Sequence, residues 1–355
     1  MPSDYAGNPT GVQAPDVAPG PNAGTLVRLP ADGDAQGAAS IYQPNKDEAD
    51  RLAYLLQQTG GGLFGDGSDG NLTFDGAATV LGMVPSANVY TLIRDIFAGN
   101  LTITGASVSI ATNGFRIYAK GTLTTNGGKI TANGNFGAGV TPGAATNATG
   151  VTGPGAVGGA GGASGAGFGA NPPFTYGFGV GGGAGGTGAA GAGGASNAPA
   201  AIPAGWGSPR AYSPSMLGFI AGYMASITLA STYAFTQPVF GSTGGGGGGA
   251  GGAAQNGGGG GGGGGVLAIA ARNIVLNNAS DFQALGGGGG NAVGTNAGGG
   301  GGGGGGVALI AYSSLSGATP TAAASCTGGV GGAKTGTGVV GANGSNGTLF
   351  LMQVA

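Results

Sequence analysis

The sequence predicts an all-β fold, in which short strands of β-solenoid or β-helix type are combined with packed helices of polyglycine-II type and one short N-terminal α-helix. Three observations predict it. Glycine supplies 92 of 355 residues and only 6% are charged, yet 40% are hydrophobic, a composition that fits neither a close-packed globule nor a highly charged disordered tail. Residues 71–135 contain short alternating apolar runs separated by turn pairs, the pattern of strands. Two uninterrupted nine-glycine runs, Gly257–Gly265 and Gly298–Gly306, each lead into a hydrophobic strand, 41 residues apart.

Taken in order, residues 1–43 are rich in Pro, Gly, Ala and Asp without periodicity and read as an extended attachment arm. A helix is predicted over 44–60. Asn45 caps it with Glu48 in capping-box spacing, and Leu52, Leu55 and Leu56 form its apolar stripe before Gly60–Gly62 ends it. Such a helix serves either as an attachment or oligomerisation element, or as a cap on its own β-domain. Over 61–135 the alternating pairs Leu101 and Ile103, Val108 and Ile110, and Phe115 and Ile117 are punctuated by Asn113-Gly114, Asn126-Gly127 and Asn133-Gly134. These turns suit hairpins or the coils of a solenoid.

Residues 136–245 form a Gly/Ala-rich insertion with one hydrophobic segment, and 246–355 a repeat domain of about 41-residue period. In the repeat, Val266-Leu-Ala-Ile, Val307-Ala-Leu-Ile and Thr348-Leu-Phe-Leu follow their glycine spacers at equal intervals. Collagen is excluded, because Gly-X-Y spacing with proline is missing. A flexible linker gives no reason for matched length and register; an extended threefold glycine helix, nine residues spanning roughly 28 Å, does. Segment Met216–Phe235 has no charge and is long enough for a bilayer, but Gly218, Gly222, Ser226 and Thr228 dilute it, so membrane insertion is not expected.

The chemistry-bearing inventory is sparse. There is no histidine, and eleven of the twelve carboxylates lie between Asp4 and Asp95, leaving Asp281 alone after Ile96. A paired-carboxylate mechanism within that part of the chain is excluded. Cys326, the single thiol, lacks an activating histidine and reads as a buried filler. No catalytic, cofactor-binding or metal-binding residue is predicted. Asp66, Ser68 and Asp69 have calcium-loop chemistry without the spaced ligands of a complete loop, and glycine-rich matches to phosphate-loop patterns are compositional. Charge is −7 over the first 95 residues and +5 over the remainder, too dilute for a nucleic-acid groove. The opening residues carry no apolar core of a signal peptide, so export by the general secretory route is not expected.

The runs Phe64-Gly-Asp-Gly-Ser-Asp-Gly-Asn-Leu-Thr-Phe, Leu92-Ile-Arg-Asp-Ile-Phe-Ala-Gly-Asn-Leu-Thr-Ile and Asn113-Gly-Phe-Arg-Ile-Tyr-Ala-Lys-Gly-Thr-Leu resemble a family of glycine-rich phage virion structural proteins. In that family a GDGSDG opening, an NLTI segment and an NG-x-R-I-x-x-KGTL segment precede glycine blocks. The glycine part looks like the stacked polyglycine helices of some phage tail-fibre adhesins. The resemblance implies a virion location on the particle surface, no catalysis and no cofactor. Its implied partners are other virion proteins, further copies of the chain in a homotrimer, and a host-surface receptor or glycan. Alternatives are a purely structural capsid decoration or head-fibre protein, and a bacterial glycine-rich cell-surface protein, against which the missing export signal counts. Trp206, Tyr212 and Tyr223 of the insertion are the predicted receptor contacts; the competing reading is that they anchor the insertion to the body.

Overall fold

The computed structural model describes residues 63–144, 146, 149–150, 152, 155–162, 166–167, 182–189, 191–195 and 255–354. The predicted arm, the helix over 44–60 with Leu52, Leu55 and Leu56, and most of the 136–245 insertion lie outside the described residues.

Alternating apolar residues in short runs give strands that bury one face. These are β1 (Leu72–Phe74), β2 (Val89–Thr91), β3 (Ile96–Ala98), β4 (Leu101–Thr104), β5 (Ser109–Ala111), β6 (Ile117–Asn126) and β7 (Lys129–Thr131). After the insertion come β8 (Val266–Leu276), β9 (Phe282–Gln283), β10 (Val307–Gly317), the single-turn helix α1 (Ala322–Ser325) and β11 (Thr348–Gln353). They form a seven-stranded sheet of order β1-β4-β6-β8-β10-β11, with β3 also on β6, and a four-stranded sheet of order β2-β5-β7-β9.

This arrangement corrects the predicted fold class. Every paired strand among the described residues runs parallel, which removes the hairpin reading; antiparallel pairing is confined to isolated bridges. The all-β solenoid expectation fails for a second reason. A solenoid adds a strand to each face per coil, whereas only the first 41-residue unit after Gly257 extends both sheets, through β8 and β9, and the later units extend the larger sheet alone. The smaller one stops at β9, where α1 packs instead and Ser325 O accepts the Ala284 amide at 2.6 Å. Two parallel sheets with crossovers returning the chain between strands are organised as α/β proteins are. The crossovers ahead of β10 and β11 contain glycine-rich segments where such proteins have helices, since a helix of glycine is disfavoured by about 1 kcal/mol per residue relative to alanine. Sequence periodicity recognised the strands but could not distinguish a coil that closes on itself from a sheet with long returns.

In-register pairing stacks like on like. Leu72, Leu101, Leu123, Ile274 and Leu315 form one column, and Ile117, Ile269, Ile310 and Leu351 another. Tyr90, Ile110, Ile130 and Phe282 form the corresponding column of the smaller sheet. These two sheets share one core, and parallel strands covered on both faces read as the near-continuous apolar run seen in β8.

Candidate functional site

The motif residues of the N-terminal strands and turns tie one strand to the next. Asp69 receives both Arg94 guanidinium nitrogens, at 2.6 and 3.1 Å, and the Phe97 amide at 2.8 Å. Burial opposes ionisation of Asp69, but the Arg94 hydrogen bond and the Phe97 amide outweigh it and hold the carboxyl below its usual range. One layer on, Asp95 takes the Arg116 amide at 2.7 Å and its Nε at 2.9 Å, with a further contact from Nη2. Arg116 is buried and lies 5.6 Å from the Tyr118 ring, which stacks on Phe97. Asn71 Oδ1 accepts from Asn100, whose own Oδ1 accepts the Thr122 amide at 2.8 Å. Asp66 accepts the Ser68 amide at 2.9 Å. Among the described residues no group of three potential ligands could hold a metal.

Two isolated reactive groups are locked away. Asp281 is fully buried, and its Oδ2 accepts from Thr125 Oγ1 at 2.5 Å and from the amides of Asn277 and Asn278 at 2.9 and 2.8 Å. Cys326 is fully buried with Sγ donating to Thr348 O at 3.3 Å; burial pushes its thiol up to about 12, so the reactive thiolate is suppressed.

The glycine runs form a lattice. Along Gly257–Gly265 each third amide serves the same neighbour: Gly258, Gly261 and Gly264 donate to the carbonyls of Gly298, Gly301 and Gly304. Gly257, Gly260 and Gly263 donate to Gly162, Gly159 and Ala156, and Gly259, Gly262 and Gly265 to Gly139, Asn135 and Ala132, all nine at 2.5–2.9 Å. The second run repeats the pattern, with Gly299, Gly302 and Gly305 donating to residues 339, 342 and 345 and Gly300, Gly303 and Gly306 to residues 290, 287 and 284. Segment 182–187 joins through Gly183 and Gly186 amides on the Gly302 and Gly299 carbonyls. Such packing satisfies backbone groups that a flexible loop would give to water. It also requires the missing side chain: a Cβ on Gly258, Gly261, Gly299 or Gly302 would lie far inside 3.0 Å of a neighbouring carbonyl oxygen.

No known family, curated protein or solved structure matches this chain. What the surface can do is therefore read from its own geometry.

Where the lattice meets solvent, asparagine replaces the next glycine helix. Asn133 Oδ1 accepts the Leu285 amide at 2.8 Å, Asn291 the Ala333 amide at 2.8 Å, Asn343 the Gly331 amide at 2.9 Å and Asn346 the Gly328 amide at 3.1 Å. On that face Phe136 is 78% and Val330 70% exposed. The Phe136 ring lies so close to the bare α-carbon of Gly288 that Cδ1 and Cε1 would stand 2.8 and 2.9 Å from a Cβ there. Sequence reading did not select Phe136, because a lone aromatic between Asn135 and Gly137 resembles turn punctuation. The available signal was its position three residues after Asn133, on the side that the lattice leaves open. The predicted receptor contacts Trp206, Tyr212 and Tyr223, and the hydrophobic segment Met216–Phe235, lie outside the described residues. Among the described residues no helix is long and apolar enough to cross a membrane.

Proposed function

We propose that this chain is a non-catalytic structural subunit of a phage particle, a fibre, spike or tail-tip adhesin. It joins other virion proteins through its N-terminal arm, assembles with further copies of itself as a homotrimer, and meets the host surface with a stiff body. The glycine lattice is the observation that carries this reading. A body whose segments are tied laterally in several directions, with few charges and with Asp69, Asp95, Asp281 and Cys326 engaged in its packing, suits bearing load and presenting a surface. The motif resemblance over residues 64–135 adds to it.

Antibodies raised against the chain should label intact particles at a fixed position, and mass spectrometry of purified particles should contain it. Particles lacking the chain, with the antigen in the host-cell envelope instead, would remove the virion assignment. Light scattering of the isolated protein should give three times the monomer mass; a heat-resistant monomer would refute the trimer.

A further inference from the structure

We propose that the outer face of the glycine lattice around Phe136 is a binding site for a neutral saccharide chain. It rests on the adhesive reading above and names the class of ligand. The face is finished as far as backbone is concerned: the carboxamide oxygens of Asn291, Asn343 and Asn346 already accept lattice amides at 2.8–3.1 Å. A further glycine helix, from this chain or a second copy, therefore finds these amides already taken. Each engaged carboxamide keeps its NH2 group as a donor, and the three residues are exposed.

Phe136 lies on Gly288, three residues before Asn291 in the same glycine segment, and Val330 lies three residues before Ala333, whose amide Asn291 accepts. Gly288 and Val330 lie on adjoining helices tied by the Gly289 amide on Val330 O at 2.8 Å. Asn343 reaches the amide of Gly331, next in sequence to Val330.

The chemistry selects the occupant. An exposed ring offers a platform to an apolar C–H face. Uncharged donors around it suit hydroxyl and acetamido oxygens, and the nearest charged residue in sequence is Lys334. An anionic ligand would find no cluster of cations here. A sugar ring stacked on Phe136, with oxygens on the flanking carboxamides, satisfies both kinds of group.

The test uses the full chain with tetrasaccharides of glucose, galactose and N-acetylglucosamine, and polygalacturonate as the anionic control. At least one neutral oligomer should show saturation transfer from Phe136 and shift the side-chain NH2 resonance of Asn291. Phe136→Ala should weaken that binding about tenfold with the unfolding midpoint unchanged, and Phe136→Tyr should retain it. Absence of binding by every neutral oligomer, or binding that survives Phe136→Ala, overturns the proposal. So does adherence to host surfaces that needs Phe136 but persists after their glycans are stripped, which would assign the face to a protein partner. A chain that labels particles yet binds no saccharide overturns only this proposal; one that binds saccharide but is found away from particles overturns only the virion assignment.

Discussion

Removing the Asp281 carboxylate would leave the Thr125 hydroxyl and the Asn278 amide without their acceptor, and the Asn277 amide with only its longer bond to Thr125 Oγ1 at 3.3 Å, in the turn between β8 and β9. Each stranded donor costs about 1–3 kcal/mol when buried. Asp281→Ala should therefore lower stability by on the order of 3 kcal/mol or more, while Asp281→Asn, which keeps an acceptor oxygen, should cost less. Denaturant midpoints of the two variants check the order; equal midpoints for alanine and wild type would show that the turn holds without this carboxylate. A second residue-scale prediction concerns acid. The folded-state pKa of Asp69 is depressed by Arg94 and the Phe97 amide against the opposing effect of burial, so its contribution is present above the unfolded carboxylate pKa, near 4, and is lost as pH falls through the folded value. Stability should drop on acidification below about pH 4, and by less in Asp69→Asn. Asp66 and Asp75 are also lowered, by backbone amides of Ser68 and of Ala78 and Ala77, so some acid sensitivity should remain in that variant. Sequence showed Asp281 to be solitary but not that it is buried, because its side-chain partner Thr125 comes from β6, on the other side of the whole insertion.

At the scale of elements, the glycine runs were legible from two sequence features, equal length and equal register before matching strands. Their packing has a sharp consequence. A Cβ at Gly261 would collide with the carbonyl of Gly287, and one at Gly302 with that of Gly329. Gly261→Val or Gly302→Val should therefore push helices apart and orphan several backbone bonds at about 1–3 kcal/mol each, enough to threaten folding of the C-terminal half. In an exposed loop the same valine would be tolerated. Thermal unfolding and amide exchange decide between them: the amides of Gly257–Gly265 and Gly298–Gly306 should exchange slowly in the wild type, and an unperturbed valine variant would count against the lattice. Strand connectivity was less legible. Asn113-Gly114 reads as a hairpin signal because both residues tolerate positive φ, and they adopt it here, at 50° and 83°. The pair nevertheless leads from β5 into β6 of the other sheet, where Ile117 and Leu123 lie beside Ile269 and Ile274 of β8 in a parallel pair.

For the molecule as a whole, sequence separation and spatial separation have come apart. A stack of repeats whose units touched only their neighbours would behave as a one-dimensional chain, fraying from its end. Here the β6 to β8 pairing and the lattice bonds cross-link residues 132–162 with 257–265, and these with 298–304. The final unit is tied back as well, through the Gly347 amide on Cys326 O, the Gly344 amide on Gly329 O and the Gly341 amide on Gly332 O. Local loosening at one helix should therefore spread across the lattice. Cys326 reports on this, since it is buried in the main core with its thiol pushed up to about 12 and can be alkylated at neutral pH only when that region opens. In the wild type, alkylation by iodoacetamide should proceed no faster than global unfolding measured by far-ultraviolet circular dichroism. In Gly261→Val, more than sixty residues away in sequence, Cys326 labelling should accelerate in step with exchange at Gly298–Gly306. If the valine speeds exchange only within Gly257–Gly265 and leaves Cys326 as slow as in the wild type, the units are independent and the lattice does not couple them.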